Sequence, residues 1–127
     1  MLDDMKILIV EDEALLAVDL SMTLEDEGAV VEGPCMTIDD ALRNQSHVDA
    51  AVLDVDIRGE PVFPVADRLA EEGTPFVFHT GRANLAELRE RYGDDVPIIS
   101  KPSSPARLVK ILCDAVASQS EKATAAK

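Results

Sequence analysis

The sequence predicts an α/β domain built on a doubly wound, five-stranded parallel sheet, and three observations carry that reading. Short apolar, β-branched runs alternate with amphipathic stretches along the whole chain. Gly and Pro stand at the junctions, where helices stop and strands begin. Reactive or charged residues stand at the carboxyl ends of four of the strands, the rim where open parallel sheets bind ligands.

The elements follow in order. Lys6–Val10 is too short and too β-branched for a helix and reads as a buried strand. Ala14–Glu25 places Leu16, Leu20 and Leu24 on one helical face, and Gly28 ends it. Ala29–Val31 is a brief second strand, and Thr37 with Asp40 forms a capping pattern that opens a short helix. Asp49–Leu53 is the third strand. Ile57–Phe63, with Gly59, Pro61 and then Pro64, is a loop leading into a third helix that ends near Gly73. Pro75–Phe78 is the fourth strand, Leu85–Arg91 the fourth helix and Val96–Ile99 the fifth strand. Ser104-Pro105 opens the last helix, whose inward face is Leu108, Ile111, Leu112 and Ala115. Residues 1–118 form one domain, and 119–127 read as a flexible tail of small and polar residues. Strand-helix units repeated five times imply a parallel sheet with right-handed crossovers and helices on both faces.

Composition excludes several function classes. The 127 residues include 25 acidic against 12 basic, a formal net charge of −13, with no basic cluster to meet a nucleic-acid backbone. No apolar run approaches the roughly 20 residues that span a bilayer. The acidic start, Met1-Leu2-Asp3-Asp4, is unlike a signal peptide, so a cytoplasmic location is expected. Cys35 and Cys113 lack metal-ligand spacing and read as reduced, packed thiols.

The rim residues are Glu11-Asp12 after the first strand, Asp54 after the third, Thr80 after the fourth and Lys101 after the fifth. Three carboxylates gathered in one crevice repel one another, and a single ammonium leaves a deficit that one divalent cation would neutralise. An all-oxygen donor set of this kind suits Mg²⁺. Beside such an ion an Asp can attack a phosphoryl donor and become an aspartyl phosphate, while a hydroxyl and an ammonium hold equatorial oxygens.

The same residues resemble a known family over essentially the whole chain. Lys6-Ile7-Leu8-Ile9-Val10-Glu11-Asp12-Glu13, Ala51-Val52-Leu53-Asp54-Val55-Asp56, Phe76-Val77-Phe78-His79-Thr80-Gly81 and Ile99-Ser100-Lys101-Pro102 are similar, in order and spacing, to the four motifs of response-regulator receiver domains. That resemblance implies a flavodoxin-like (βα)5 fold with strand order 2-1-3-4-5. It implies Asp54 as phosphoacceptor, Thr80 and Lys101 as phosphoryl-holding groups, and a Mg²⁺ cofactor. The metal would be held by Asp12 directly, by Glu11 mainly through water, by Asp54, and by the backbone carbonyl of Asp56. A cis peptide between Lys101 and Pro102 is implied as well. The function implied is a single-domain response regulator of a two-component or phosphorelay system. It would be phosphorylated by a histidine kinase or histidine phosphotransfer protein, act through protein contacts and turn over no external substrate. It would promote only its own phosphorylation and dephosphorylation.

Departures from the family pattern are Ile98 where many receivers carry an aromatic, Ser103 after the Lys-Pro pair, and Arg58 where a proline is usual. Phe78-His79-Thr80-Gly81 resembles the Phe-x-Thr-Gly run of a largely alphaproteobacterial subgroup. His79 should point away from the site and be packed or partner-facing, and Arg82 lies either at the crevice mouth or in solvent. Asp12 read alone is a candidate helix cap. Two other functions fit parts of the pattern. One is a haloacid-dehalogenase-like phosphatase, from Asp54-Val55-Asp56, Thr80 and Lys101. The other is a pseudo-receiver that works without phosphorylation.

Overall fold

The computed structural model of the protein describes residues 1–44, 46–81 and 85–125. In chain order its elements are β1 (Lys6–Val10), α1 (Ala14–Asp26), β2 (Val30–Cys35), α2 (Ile38–Arg43), β3 (Ala50–Leu53), β4 (Asp56–Ile57), β5 (Glu60–Pro61), α3 (Phe63–Glu71), β6 (Phe76–Thr80), α4 (Leu85–Tyr92), β7 (Ile98–Ser100) and α5 (Pro105–Ala125). Five strands form one parallel sheet in the order β2-β1-β3-β6-β7. With the small β4–β5 pair set aside, that is the predicted order 2-1-3-4-5.

Alternation along the strands divides the core into two layers. Leu8 and Val10 of β1 face one way, joining Leu53, Val65, Leu69, Phe78 and Leu88. Ile7 and Ile9 face the other way, joining Leu20, Leu24, Val52, Val77, Ile99, Leu108 and Leu112. The strands are apolar on both faces because helices cover both, which is what a continuous apolar run in a parallel sheet means. Each fully buried aliphatic side chain contributes about 1.5–3 kcal/mol by leaving water.

Several boundaries differ from the sequence reading, each for a local reason. β2 continues past Val31 through Glu32, Gly33 and Pro34 to Cys35, with an irregular register where Leu8 pairs Glu32 and Val10 pairs Cys35. It is an edge strand, where polar residues and a proline are tolerated, so hydrophobicity alone ends it too early. The 57–63 segment is not plain loop. Asp56–Ile57 and Glu60–Pro61 pair as an antiparallel hairpin, turned by Arg58 and Gly59 with φ of 53° and 82°. A two-residue turn with both central residues left-handed matches the strand twist, and Arg at its first position hides it from a search for Asn-Gly or Asp-Gly. α5 runs on to Ala125, so helix extends into the 119–127 segment. Neither Gly nor Pro interrupts the good helix formers Gln119, Glu121, Lys122, Ala123 and Ala125. Cys35 is buried and Cys113 half-buried, and they are not bonded to each other. Among the described residues no helix is long and apolar enough to cross a membrane.

Candidate functional site

Parallel register brings the predicted rim together. Val10 pairs with Leu53, Leu53 with Phe78, and Thr80 with Ser100, so the residues that follow each strand share one edge. Backbone hydrogen bonds extend the ladder into the crevice. Asp54 N–H donates to the Val10 carbonyl (2.9 Å), Glu11 N–H to the Cys35 carbonyl (3.0 Å) and Lys101 N–H to the Thr80 carbonyl (2.9 Å). Glu11, Asp54 and Thr80 are all buried.

The side chains then meet. Lys101 Nζ donates to Asp54 Oδ2 at 2.9 Å and to both Glu11 carboxylate oxygens at 3.2 Å. Oxygens of Glu11, Asp12 and Asp54 all lie within 4.8 Å of one another. The peptide between Lys101 and Pro102 is cis, as the resemblance implies.

Charge in the crevice is unbalanced. Burial, and then the neighbouring Asp54 carboxylate, push the Glu11 pKa up to about 7 against the lowering pull of Lys101. Burial works against the Lys101 charge, yet its hydrogen bonds and attraction to Asp54 and Glu11 carry its pKa above the ordinary lysine value. Among the described residues one ammonium faces three carboxylates. A hard divalent cation fits this all-carboxylate donor set and would favour the ionised form of Glu11 that burial and Asp54 disfavour.

Asp12 does not cap α1. The N-cap is Glu13, which makes no side-chain cap bond, and Asp12 Oδ2 instead accepts the Arg58 N–H at 2.8 Å. The Asp56 side chain is turned to the hairpin, where Oδ1 accepts the Gly59 N–H at 2.9 Å, and its carboxylate is not part of the acidic cluster. His79 is buried on the α1–α5 side of the sheet, as strand alternation predicts. Arg82 lies outside the described residues. Sequence reasoning singled out Arg58 and Ser103 only as departures from a pattern. Their contacts with Asp12 and His79 carry no sequence signature, because one is made by a backbone N–H and the other spans 24 residues.

No family model and no curated protein matches the chain. Solved structures do. A CheY-like response regulator receiver domain protein from Methanospirillum hungatei JF-1 superposes with a TM-score of 0.83 at 22% identity, covering 94% of this chain and 99% of the other. A response regulator receiver protein from Sinorhizobium medicae WSM419 gives 0.77 at 27% identity, with the same coverages of 94% and 99%. The non-phosphorylated HemR receiver domain from Leptospira biflexa gives 0.74 at 25% identity, covering 89% and 94%. The sheet order, the two helical layers and these likenesses agree: the chain has the fold of CheY-like response regulator receiver domains.

Proposed function

We propose that the chain is a signalling receiver that accepts a phosphoryl group on Asp54 from a phosphohistidine of a kinase or phosphotransfer protein. The observation that carries this reading is the three-way contact of Lys101 Nζ with Asp54 and Glu11 beside Asp12. Asp12 and Asp54 would hold Mg²⁺ directly, Glu11 mainly through water and Asp56 by its backbone carbonyl. Bound there, the ion would supply positive charge that screens the donor's oxygens from the carboxylates.

The residues of the chain divide the remaining work. An Asp54 carboxylate oxygen forms the new O–P bond as the P–N bond to the donor imidazole breaks, and the freed imidazole keeps the bonding pair. Lys101 Nζ, already bonded to Asp54, turns one donor N–H to an equatorial phosphoryl oxygen, and the Thr80 hydroxyl donates to another. Modification brings roughly −1.5 to −2 charge units to the rim, and movement of Thr80 towards them would shift β6 and β7 and so alter a protein-binding surface.

A haloacid-dehalogenase-like phosphatase would need the second Asp free as acid and base, whereas the Asp56 carboxylate is bonded within its own hairpin. A net charge of −13 argues against a nucleic-acid partner.

Intact mass after incubation with acetyl phosphate, with and without Mg²⁺, tests the reading on the wild type and Asp54→Asn. A single Mg²⁺-dependent phosphoryl adduct, absent from the variant, is expected. An adduct that persists in Asp54→Asn would assign the wrong acceptor, and no adduct from either acetyl phosphate or a phosphohistidine donor would favour a phosphorylation-independent module.

A further inference from the structure

β6 carries a histidine where the same strand face is otherwise aliphatic. Val77 packs in the α1–α5 layer with Ile99 and Leu108, and His79 follows two residues on, 2% exposed. Among the described residues its Nδ1 is buried without a hydrogen-bond partner, while Nε2 lies 2.9 Å from the Ser103 hydroxyl. A buried ring nitrogen left unpaired costs stability that a valine in the same place would not. Packing alone therefore does not account for histidine here. What the imidazole adds is its bond to Ser103.

Ser103 stands two residues beyond Lys101, across Pro102, and directly before Ser104, whose hydroxyl accepts the Arg107 N–H at the start of α5. The same turn is tied to β6 a second time, by the Lys101 N–H on the Thr80 carbonyl. Consecutive residues of β6 thus hold the turn on either side of Pro102. Between the two ties the Lys101 side chain departs, passing Gly81, where a Cβ would lie 3.9 Å from Lys101 Cβ and Cδ, and reaches Asp54 and Glu11. A lysine has four side-chain torsions to restrain before its ammonium is fixed.

We propose that His79 is a positioning residue for Lys101, acting through the Ser103 hydroxyl to fix the turn from which Lys101 reaches Asp54. The consequence for reaction rate rests on the proposed role of Asp54 as phosphoacceptor. Burial, and then the Lys101 charge, lower the His79 pKa despite the opposing Asp54, so the ring is a neutral hydrogen-bonding group beside the ammonium.

Threonine and valine at position 103 have nearly the same shape and differ by the hydroxyl, which makes them the deciding pair at this half-buried residue. The rate of Mg²⁺-dependent phosphoryl incorporation from acetyl phosphate, the calorimetric affinity for Mg²⁺ and the Lys101 Nζ resonance in ¹⁵N-labelled protein are the readouts. Ser103→Thr should match the wild type, whereas Ser103→Val should slow incorporation about tenfold, as loss of one positioning hydrogen bond does. The Lys101 resonance should move only in the valine variant, and Mg²⁺ affinity should change in neither. His79→Val should slow the reaction as much as Ser103→Val, with no further loss in the double variant. Equal rates and equal Lys101 resonances for the threonine and valine variants would overturn the proposal, even if His79→Val does not fold. A wild type that takes no phosphoryl group would instead overturn the functional reading, and the Lys101 resonance would still decide the positioning role.

Discussion

Lys101 Nζ lies 2.9 Å from Asp54 Oδ2, joining the end of β7 to the end of β3 across the intervening β6. The side chains at this contact are only 15% and 10% exposed, and the Glu11 side chain that shares the ammonium is 1% exposed. An ion pair so placed is strongly felt when one partner is removed, because the other charge stays buried. Lys101→Met should therefore destabilise the fold by about 3 kcal/mol at mildly alkaline pH. The loss should shrink as pH falls, since Glu11 can take up a proton and shed its charge. Adding Asp54→Asn to Lys101→Met should recover most of the lost stability by removing one of the facing carboxylates. Urea denaturation of the wild type and both variants at about pH 8 and about pH 5.5 measures each step. Equal losses at the two pH values would mean that Lys101 contributes packing rather than charge.

Glu11 gives the fold a pH dependence of unusual sign for a carboxylate. Its folded pKa is raised to about 7 from an unfolded value of 4.5, so the folded state binds the proton more tightly. Its contribution is most favourable below the unfolded pKa, is lost progressively as pH rises between the two values, and is fully lost above the folded one. The loss is on the order of 3 kcal/mol, taking 1.36 kcal/mol per pKa unit. Glu11→Gln should remove this slope, and the wild-type curve minus the variant curve isolates it. Mg²⁺ favours the ionised carboxylate and should offset the loss, so the stabilisation by Mg²⁺ should grow from about pH 5 to about pH 8 and vanish with a chelator. Thermal melts across that range, with and without the ion, give both results. A Mg²⁺ effect independent of pH would disconnect Glu11 from the metal.

Particular residues show how far the sequence reading reaches. Ile7, Ile9, Leu8 and Val10 announce a strand buried on both faces, because nothing but helices on both sides makes such a run stable. Glu11, Asp12, Asp54 and Lys101 announce a site because charges directly after buried strands are costly without partners, and the structure brings all four together. Less visible is what depends on a backbone group or a long-range pairing. β2 beyond Val31 is held by strand pairing rather than by hydrophobicity. The Asp56–Pro61 hairpin depends on the left-handed backbone of Arg58, to which an arginine has no intrinsic preference. His79 could be assigned to a face from strand alternation, whereas its bond to Ser103 follows only once the β7–α5 turn is in place.

That hairpin supplies a last prediction. Arg58 has φ of 53°, its N–H donates to Asp12 Oδ2 at 2.8 Å, and its Nε–H donates to the Met36 carbonyl at 3.2 Å. The left-handed backbone costs a non-glycine residue about 1 kcal/mol, whereas the N–H is independent of the side chain. Arg58→Gly should keep the N–H on Asp12 and relieve the strain, at the loss of one exposed side-chain bond, so stability should change by less than about 1 kcal/mol. Arg58→Pro removes the N–H and demands φ near −65°, so it should destabilise the fold by about 2–3 kcal/mol and loosen Asp12. Mg²⁺ affinity separates the backbone from the guanidinium: calorimetry should give Arg58→Gly an affinity close to that of the wild type and Arg58→Pro a weaker one, because a carboxylate held by a backbone donor is oriented in advance for the ion. Affinity that falls equally in both variants would assign the effect to the arginine side chain and not to the bond on Asp12.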